Sequence, residues 1–309
     1  MQRKSNFRIE IADTKDKYEG LRTLWCEVFN DEESFIDGLY AFFGANPREG
    51  AYASEAVKGY VCLDENDKVI SALTCFRSGD FEGRPAYTSY AICTDPACRG
   101  LGLAGALVEH VRDIVLKEGA VSIISPAEPS LEEFYGAHGY RPFFFAKACE
   151  AETDDGEAFI FDEEDSEYEK FHPHLVAESL ECDEFNRYRE EFLSGRSHLK
   201  LSEEMIALIY NESRLPDGSC GLMLINKGDA ICAMGEAEDG GQEIAELLVN
   251  PKLLQLSPEI EGEIAGRIAE FFGKESIVFH APGAEVCHSM IAGLDADKNE
   301  EAYYGFPIN

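Results

Sequence analysis

The chain is poor in basic residues and has no long apolar run. Its 309 residues include 27 Lys and Arg against 60 Asp and Glu, a formal net charge of −33. A surface this acidic repels nucleic acid and anionic lipid, so neither is expected as a partner. Because no stretch of about 18 apolar residues and no basic-then-apolar leader occurs, we expect no membrane span and no secretion, and hence a cytoplasmic protein.

Cysteine pairs with the spacing of zinc ligands are also missing. The 10 cysteines are scattered singly along the chain, which suits reduced thiols in a cytoplasm. The histidine pairs His172-x-His174 and His280 with His288 therefore have no cysteine pair to complete a zinc site, and no metal is expected.

The most informative segment is a glycine-rich stretch that follows an apolar strand ending near Thr94. It reads Arg99-Gly100-Leu101-Gly102-Leu103-Ala104-Gly105. The spacing of the apolar residues in and after it predicts a helix packed on a sheet: Leu101, Leu103, Leu107, Val108, Val111, Ile114 and Val115. A helix start leaves four amides without intrahelical partners, and glycines lack the Cβ that would block approach. The segment is therefore expected to bind phosphate.

The three glycines also fit the G-x-G-x-x-G fingerprint of dinucleotide-binding proteins, at Gly100, Gly102 and Gly105. In that fold the first glycine follows the opening strand almost at once. Here residues 95–99 intervene and several strands come earlier. This context disfavours a nicotinamide or flavin site.

A better match comes from Pro96-x-x-Arg99-x-x-Gly102-x-Ala104, which resembles the acetyl-coenzyme A loop of the GCN5-related N-acetyltransferases (GNAT superfamily). The resemblance implies that the amides from Gly100 to Gly105, following Arg99, cradle the cofactor pyrophosphate. It also implies that the strand residues Ile92-Cys93-Thr94 pair with the pantetheine arm. Acetyl-CoA would then be the cosubstrate.

A second motif, Phe134-Tyr135 with Gly139-Tyr140, is similar to the Phe-Tyr-x-x-x-Gly-Phe segment of the same family. There the tyrosine gives a proton to the coenzyme A thiolate, so Tyr135 is the candidate general acid. Taken alone, a tyrosine at this position would be interpreted as a core aromatic residue. Just before it, Ser130-x-x-Glu133 predicts a capping box at the start of a short helix.

Two segments resemble the enhanced-intracellular-survival branch of the superfamily: Tyr135–Pro142, and Leu24-Trp25 followed by Phe29-Asn30-Asp31. Members of that branch join a catalytic domain to a degenerate second copy and usually add a sterol-carrier-like domain. The residues after the second copy are too few for that third domain here. In the branch the terminal carboxylate acts as a base or an orienting group, and in this sequence Asn309 would supply it.

The predicted architecture is α/β, of the α+β type with a mixed sheet, in two tandem GNAT-like domains. Residues 1–150 form the expected catalytic domain and residues 151–309 a degenerate second copy with a C-terminal tail. A densely acidic stretch, residues 150–169, contains the boundary. In the second copy, the segment from Asn250 to Pro258 has neither glycine nor arginine where the first has its loop. We therefore expect it to be catalytically silent and to close one side of the acceptor pocket.

The expected reaction is direct transfer of an acetyl group from acetyl-CoA to a primary amine on a small molecule or a lysine-bearing chain. The acidic surface favours a cationic acceptor, although it also serves solubility. The strand that precedes the loop offers no evident side-chain base. Two alternatives stay open, a non-catalytic acyl-CoA-binding or interaction protein and a dinucleotide-dependent oxidoreductase. A homo-oligomer is compatible with the sequence.

Overall fold

The computed structural model describes residues 7–153, 175–215, 217–237, 240–257, 259–294 and 302–305. Within these ranges, strands from both halves of the chain form one continuous mixed sheet with helices on both faces. The α/β fold class expected from the sequence is confirmed. None of the helices in the described ranges is long and apolar enough to cross a membrane.

Apart from its first strand, the first half follows the predicted order of elements. They are β1 (Arg8–Ile11), α1 (Lys15–Phe29), α2 (Glu33–Phe42), β2 (Val57–Leu63), β3 (Val69–Phe81), β4 (Arg84–Thr94), α3 (Leu103–Lys117), β5 (Val121–Ile124), α4 (Ser130–Ala137) and β6 (Arg141–Glu152). The second half contains β7 (Ala177–Ser179), α5 (Cys182–Phe192), β8 (Lys200–Leu201), α6 (Glu203–Glu212), β9 (Leu222–Ile225), β10 (Ala230–Glu236), β11 (Gln242–Val249), α7 (Pro251–Leu254), α8 (Ile260–Phe271), β12 (Ser276–Pro282) and β13 (Val286–Ala292).

The two halves exchange strands at the centre of the sheet. The strand order is β1-β2-β3-β4-β5-β13-β6-β12-β11-β10-β9-β7, with β8 paired to β3. Strand β13 of the second half thus lies between β5 and β6, while β6 of the first half pairs with β12. Each half therefore completes its hydrogen bonding with a strand from the other.

Helices on the two faces of the sheet build separate cores. On one face α3 and α4 pack over the first half, and α8 packs over the second. On the opposite face α1, α2, α5 and α6 bury their apolar side chains in one shared core. We call this opposite side the shared-core face. The sheet is thus covered on both sides, and its strands are correspondingly apolar.

The start of α4 differs from the predicted capping box. Ser130 is the first helical residue and its Oγ donates to Glu128 Oε1 at 2.6 Å, while Pro129 before it already has helical backbone angles. The helix therefore begins one residue too early for Ser130 to cap it. A proline with its fixed φ makes that earlier start favourable.

Candidate functional site

Strand β4 carries a β-bulge at the point where it leaves β5. The parallel pairing of β4 with β5 ends with Ser89 opposite Ile124, and the register of β3 against β4 then shifts. Within this bulge Ala91 has a φ of 49°, which is rare for a residue other than glycine. Because a bulge bends its strand, the last part of β4 diverges from β5 and a gap opens between them.

The backbone of β4 past the bulge turns amides toward this gap. Asp95 donates its amide to the carbonyl of Ile70 at 3.0 Å, on the β3 side. In an antiparallel pair, successive amides of a strand point in alternating directions. The amides of Ile92 and Thr94 therefore face away from β3, toward the edge of β4 that pairs with β5 up to Ser89. No strand of the described chain pairs with that edge beyond Ser89. An extended ligand can therefore add there by backbone hydrogen bonding.

Asp95, the first residue of the loop after β4, fixes the loop by hydrogen bonding, and glycines leave its end accessible. Asp95 accepts a hydrogen bond from the amide of Ala97 at 2.9 Å and pairs with Lys68 Nζ at 2.7 Å. Gly100 and Gly102 both have a φ of 77°, and no atom lies within 4 Å of the position a Cβ would occupy at either. Only glycine adopts this left-handed backbone without strain, and both residues leave the helix start open to solvent.

Helix α3 begins at Leu103, directly after this loop. Its first intrahelical bond runs from the amide of Ala106 to the carbonyl of Gly102 at 3.0 Å, so the amides of Leu103, Ala104 and Gly105 precede the helical ladder. The first turn carries no acidic side chain. Such amides and the positive end of a helix dipole favour binding of an anion, and here they lie next to the gap. Leu101 is 45% exposed, so it lies in the loop rather than on the predicted apolar stripe.

Gly105 serves a packing purpose as well. A Cβ there would lie 2.5 Å from Cε1 of His138, which is far inside van der Waals contact. The His138 ring fills this space, with Nδ1 3.0 Å from Glu109 Oε1 and its centroid 4.7 Å from the ring of Phe134. The missing side chain of Gly105 thus allows the end of α4 to pack closely on the first turns of α3.

Tyr135 lies on α4 within the same core as Leu103 and Leu107 of α3. Its ring is 5.2 Å from that of Phe134, whose other neighbour is His138. Burial raises the pKa of Tyr135 to about 12, so the phenol keeps its proton at neutral pH. The structure therefore brings this candidate acid to the face of the sheet that α3 covers.

The second half repeats the geometry of this site without its anion-binding features. Strand β11 has a register shift against β10 and leads into Asn250-Pro251, whose Asn caps the amide of Lys252 at 3.0 Å, as Asp95 caps Ala97. The first turn of α8, however, holds Glu261 and Glu263. Glu261 pairs with Lys147, and the carboxylates at this helix start disfavour binding of a phosphate there.

The other predicted site residues are placed as follows. Arg99 is exposed beside the loop, and Ile92 and Thr94 are half-buried. Cys93 is buried, and burial raises its thiol pKa to about 12, which leaves almost no nucleophilic thiolate at neutral pH. Asn309 lies outside the described residues. The described tail segment, residues 302–305, is buried as expected, with Tyr304 Oη 3.0 Å from Thr88 Oγ1 on β4.

The bulge at Ala91 was not predicted from the sequence, because no glycine or other signal marks it. Strand β13 was also not predicted, since its pairing partners lie more than a hundred residues earlier in the chain. Both features shape the gap, and both depend on long-range pairing rather than on local pattern.

Comparisons with known proteins agree with this geometry. Residues 56–142 match the family model of the acetyltransferase (GNAT) domain. The fold resembles that of a GCN5-related N-acetyltransferase from Anabaena variabilis, at 15% identity over 93% of this chain and 72% of that one, with a TM-score of 0.62.

Two further solved structures share the fold. One is a GCN5-related N-acetyltransferase from Kribbella flavida, at 15% identity over 93% of this chain and 71% of that one, with a TM-score of 0.58. The other is a conserved protein of unknown function and probable N-acyltransferase from Enterococcus faecalis V583. It matches at 13% identity over 93% of this chain and 72% of that one, with a TM-score of 0.58. A comparison with curated proteins found no match.

Proposed function

We propose that the chain, which carries an acyltransferase domain of the GNAT superfamily at residues 56–142, transfers an acetyl group from acetyl-CoA to a primary amine. The observation that carries this proposal is the succession of a bulged strand, a loop with two left-handed glycines and a helix start without acidic residues. Each of these features serves one part of a coenzyme A thioester.

The cofactor is held by backbone groups. Its pyrophosphate binds the amides from Gly100 to Gly105, and Arg99 adds a positive charge beside them. The pantetheine arm lies along the free edge of β4 and pairs with the amides of Ile92 and Thr94. This extended arm places the thioester at the bulge, where β4 and β5 diverge.

Transfer proceeds by direct attack of the amine on the thioester carbonyl. An amide at the bulge polarises that carbonyl and stabilises the oxyanion as the tetrahedral intermediate forms. Tyr135 donates its proton to the coenzyme A sulfur as the carbon–sulfur bond breaks. The phenol is protonated at physiological pH, as this role requires.

The acceptor enters from the shared-core face, between the helices of the two halves. The second half closes one side of this entrance, and the contact of Tyr304 with Thr88 supports that placement. The net charge of −33 favours a cationic acceptor such as a polyamine, an aminoglycoside or a lysine-bearing chain. Asn309 stays a candidate for the carboxylate that orients such an amine.

The test is a thiol-release assay of the full-length chain with acetyl-CoA and these three classes of amine. Tyr135→Phe is expected to lower kcat by about a hundredfold while the Kd for acetyl-CoA stays within about twofold, because the phenol acts only on the leaving sulfur. Tyr60→Phe is the matched control, since Tyr60 is a second buried tyrosine of the same core. Binding of acetyl-CoA without acetylation of any amine would favour the non-catalytic acyl-CoA-binding protein. NADH binding without acetyl-CoA binding would favour the oxidoreductase.

A further inference from the structure

Two histidines and a glutamate of the second half form a polar group within the sheet. The rings of His280 on β12 and His288 on β13 have centroids 5.8 Å apart and are perpendicular. His280 Nε2 lies 3.6 Å from Glu243 Oε2 on β11. His280 Nδ1 is buried and has no hydrogen-bond partner among the described residues, which costs free energy in a native structure.

His288 occupies a bulge of its own strand. The register of β13 against β6 pairs Cys287 with Phe145 and Ser289 with Phe144, which leaves His288 unpaired between them. A bulge re-aims the side chain of its extra residue. Here it turns His288 toward His280, on the shared-core face.

The strand register places this histidine at the end of β5 where the gap opens. Ser89 of β4 lies opposite Ile124 of β5, and Ile124 lies opposite Met290 of β13. One residue further, Ser125 Oγ is 2.7 Å from Ser289 Oγ. His288 precedes Ser289, so it lies just beyond the last pairing of β4 with β5.

Strand β13 is the next strand after β5 in the sheet. His288 therefore lies on the β5 side of the gap that opens where β4 and β5 diverge, and the proposed thioester lies on the β4 side. Tyr135 belongs to the core on the α3 face, so acid and imidazole lie on opposite faces of the sheet.

We propose that His288 is the base that takes a proton from the acceptor ammonium, positioned by His280 and Glu243. This role rests on the acetyltransferase function proposed above. His288 removes one proton from the ammonium and releases it to solvent. The neutral nitrogen then attacks the carbonyl, and the carbon–sulfur bond breaks as the amide forms. Tyr135 protonates the sulfur and is reprotonated by solvent, while the second proton of the nitrogen leaves through His288 to solvent.

The charges around His288 suit a base that works at neutral pH. Burial and then the nearby His280 lower the pKa of His288 below its usual value of 6.5, so its imidazole is neutral and able to accept a proton at pH 7. Glu243 lies against His280 rather than against His288. Within the described ranges no group of three or more His, Cys, Asp or Glu side chains is arranged to hold a metal ion.

The experiment measures kcat for acetylation of spermidine and 1,4-diaminobutane between pH 5.5 and 9. For the wild type we expect a plateau from about pH 7. His288→Gln is expected to lower kcat at pH 7 by about a hundredfold. Its log kcat then rises across the whole range, because the amine, with a pKa near 10, must lose its proton to water. His280→Gln removes a neighbour that lowers the pKa of His288, so the rising part of the pH profile should move to higher pH.

His110→Gln is the matched control, because His110 lies exposed on α3, and it should follow the wild-type profile. An unchanged profile in His288→Gln overturns the proposal while the acetyltransferase function stands. A wild type that does not bind acetyl-CoA overturns both.

A second readout needs no acceptor. Bound acetyl-CoA should slow carbethoxylation of His288, followed by mass spectrometry, but not that of His110, and equal rates with and without acetyl-CoA would contradict the placement of His288.

Discussion

A single negative charge at Gly102 tests the anion site without removing any contact. Gly102 lies at the N-terminal cap of α3 and has a φ of 77°, and no atom lies within 4 Å of the position that a Cβ would take there. Asn and Asp tolerate this left-handed backbone better than other side chains, and both cap helices well. Gly102→Asp and Gly102→Asn should therefore fold alike and differ only in charge.

The size of the effect follows from Coulomb's law. A carboxylate about 5 Å from a phosphate charge costs about 1–3 kcal/mol at the effective dielectric of a partly exposed site. This corresponds to roughly 5- to 150-fold weaker binding of acetyl-CoA by Gly102→Asp than by Gly102→Asn. The difference should shrink at high salt, because screening acts on exposed charges.

Titration calorimetry of both variants with acetyl-CoA provides the measurement. Gly119→Asp is the control, since Gly119 has the same φ of 77° and the same open surroundings at the other end of α3. It should bind acetyl-CoA like the wild type. If Gly102→Asp and Gly102→Asn bind with equal affinity, no phosphate lies at this helix start and the reasoning is refuted.

Two further predictions concern stability. Arg189 and Glu246 are fully buried 3.2 Å apart, and Arg189 also donates to the carbonyls of Leu199 and Tyr304. Glu246→Gln removes the buried carboxylate and leaves Arg189 only the partly exposed Glu190, whose Oε1 is 3.9 Å away, so it should lower the free energy of unfolding by about 3–5 kcal/mol. In urea denaturation, a loss no larger than that of the exposed-pair variant Asp113→Asn would contradict this reasoning. Gly105→Ala should cost about 1–3 kcal/mol because its Cβ meets the His138 ring, and Gly105→Ala with His138→Ala should recover part of it. No recovery would mean that the clash lies elsewhere.

Local pattern predicted much of the fold and of the loop. The apolar strands β2 to β5 and the helix α3 lie within a few residues of their predicted bounds, because alternation and helical periodicity report burial directly. The role of the loop glycines could also be predicted, since Gly100 and Gly102 adopt the left-handed backbone that only glycine takes without strain.

Features that depend on pairing with residues far away in the sequence could not be predicted. Strand β13 follows no marked pattern, and its place between β5 and β6 is set by residues far away in sequence. The bulge at Ala91 has the same origin, because an alanine gives no hint of a positive φ. His280 and His288 were visible only as a spaced pair in the sequence. Their proximity to each other, and the position of His288 near the end of β5, depend on strand pairing.

The most direct test of the account is the stoichiometry of acetyl-CoA binding to the full-length chain by titration calorimetry. We predict one site per chain, formed by the glycine loop of the first half. We predict none in the second half, where Glu261 and Glu263 occupy the corresponding helix start. Two sites, or binding that persists unchanged in Gly102→Asp, would contradict it, and so would the absence of binding.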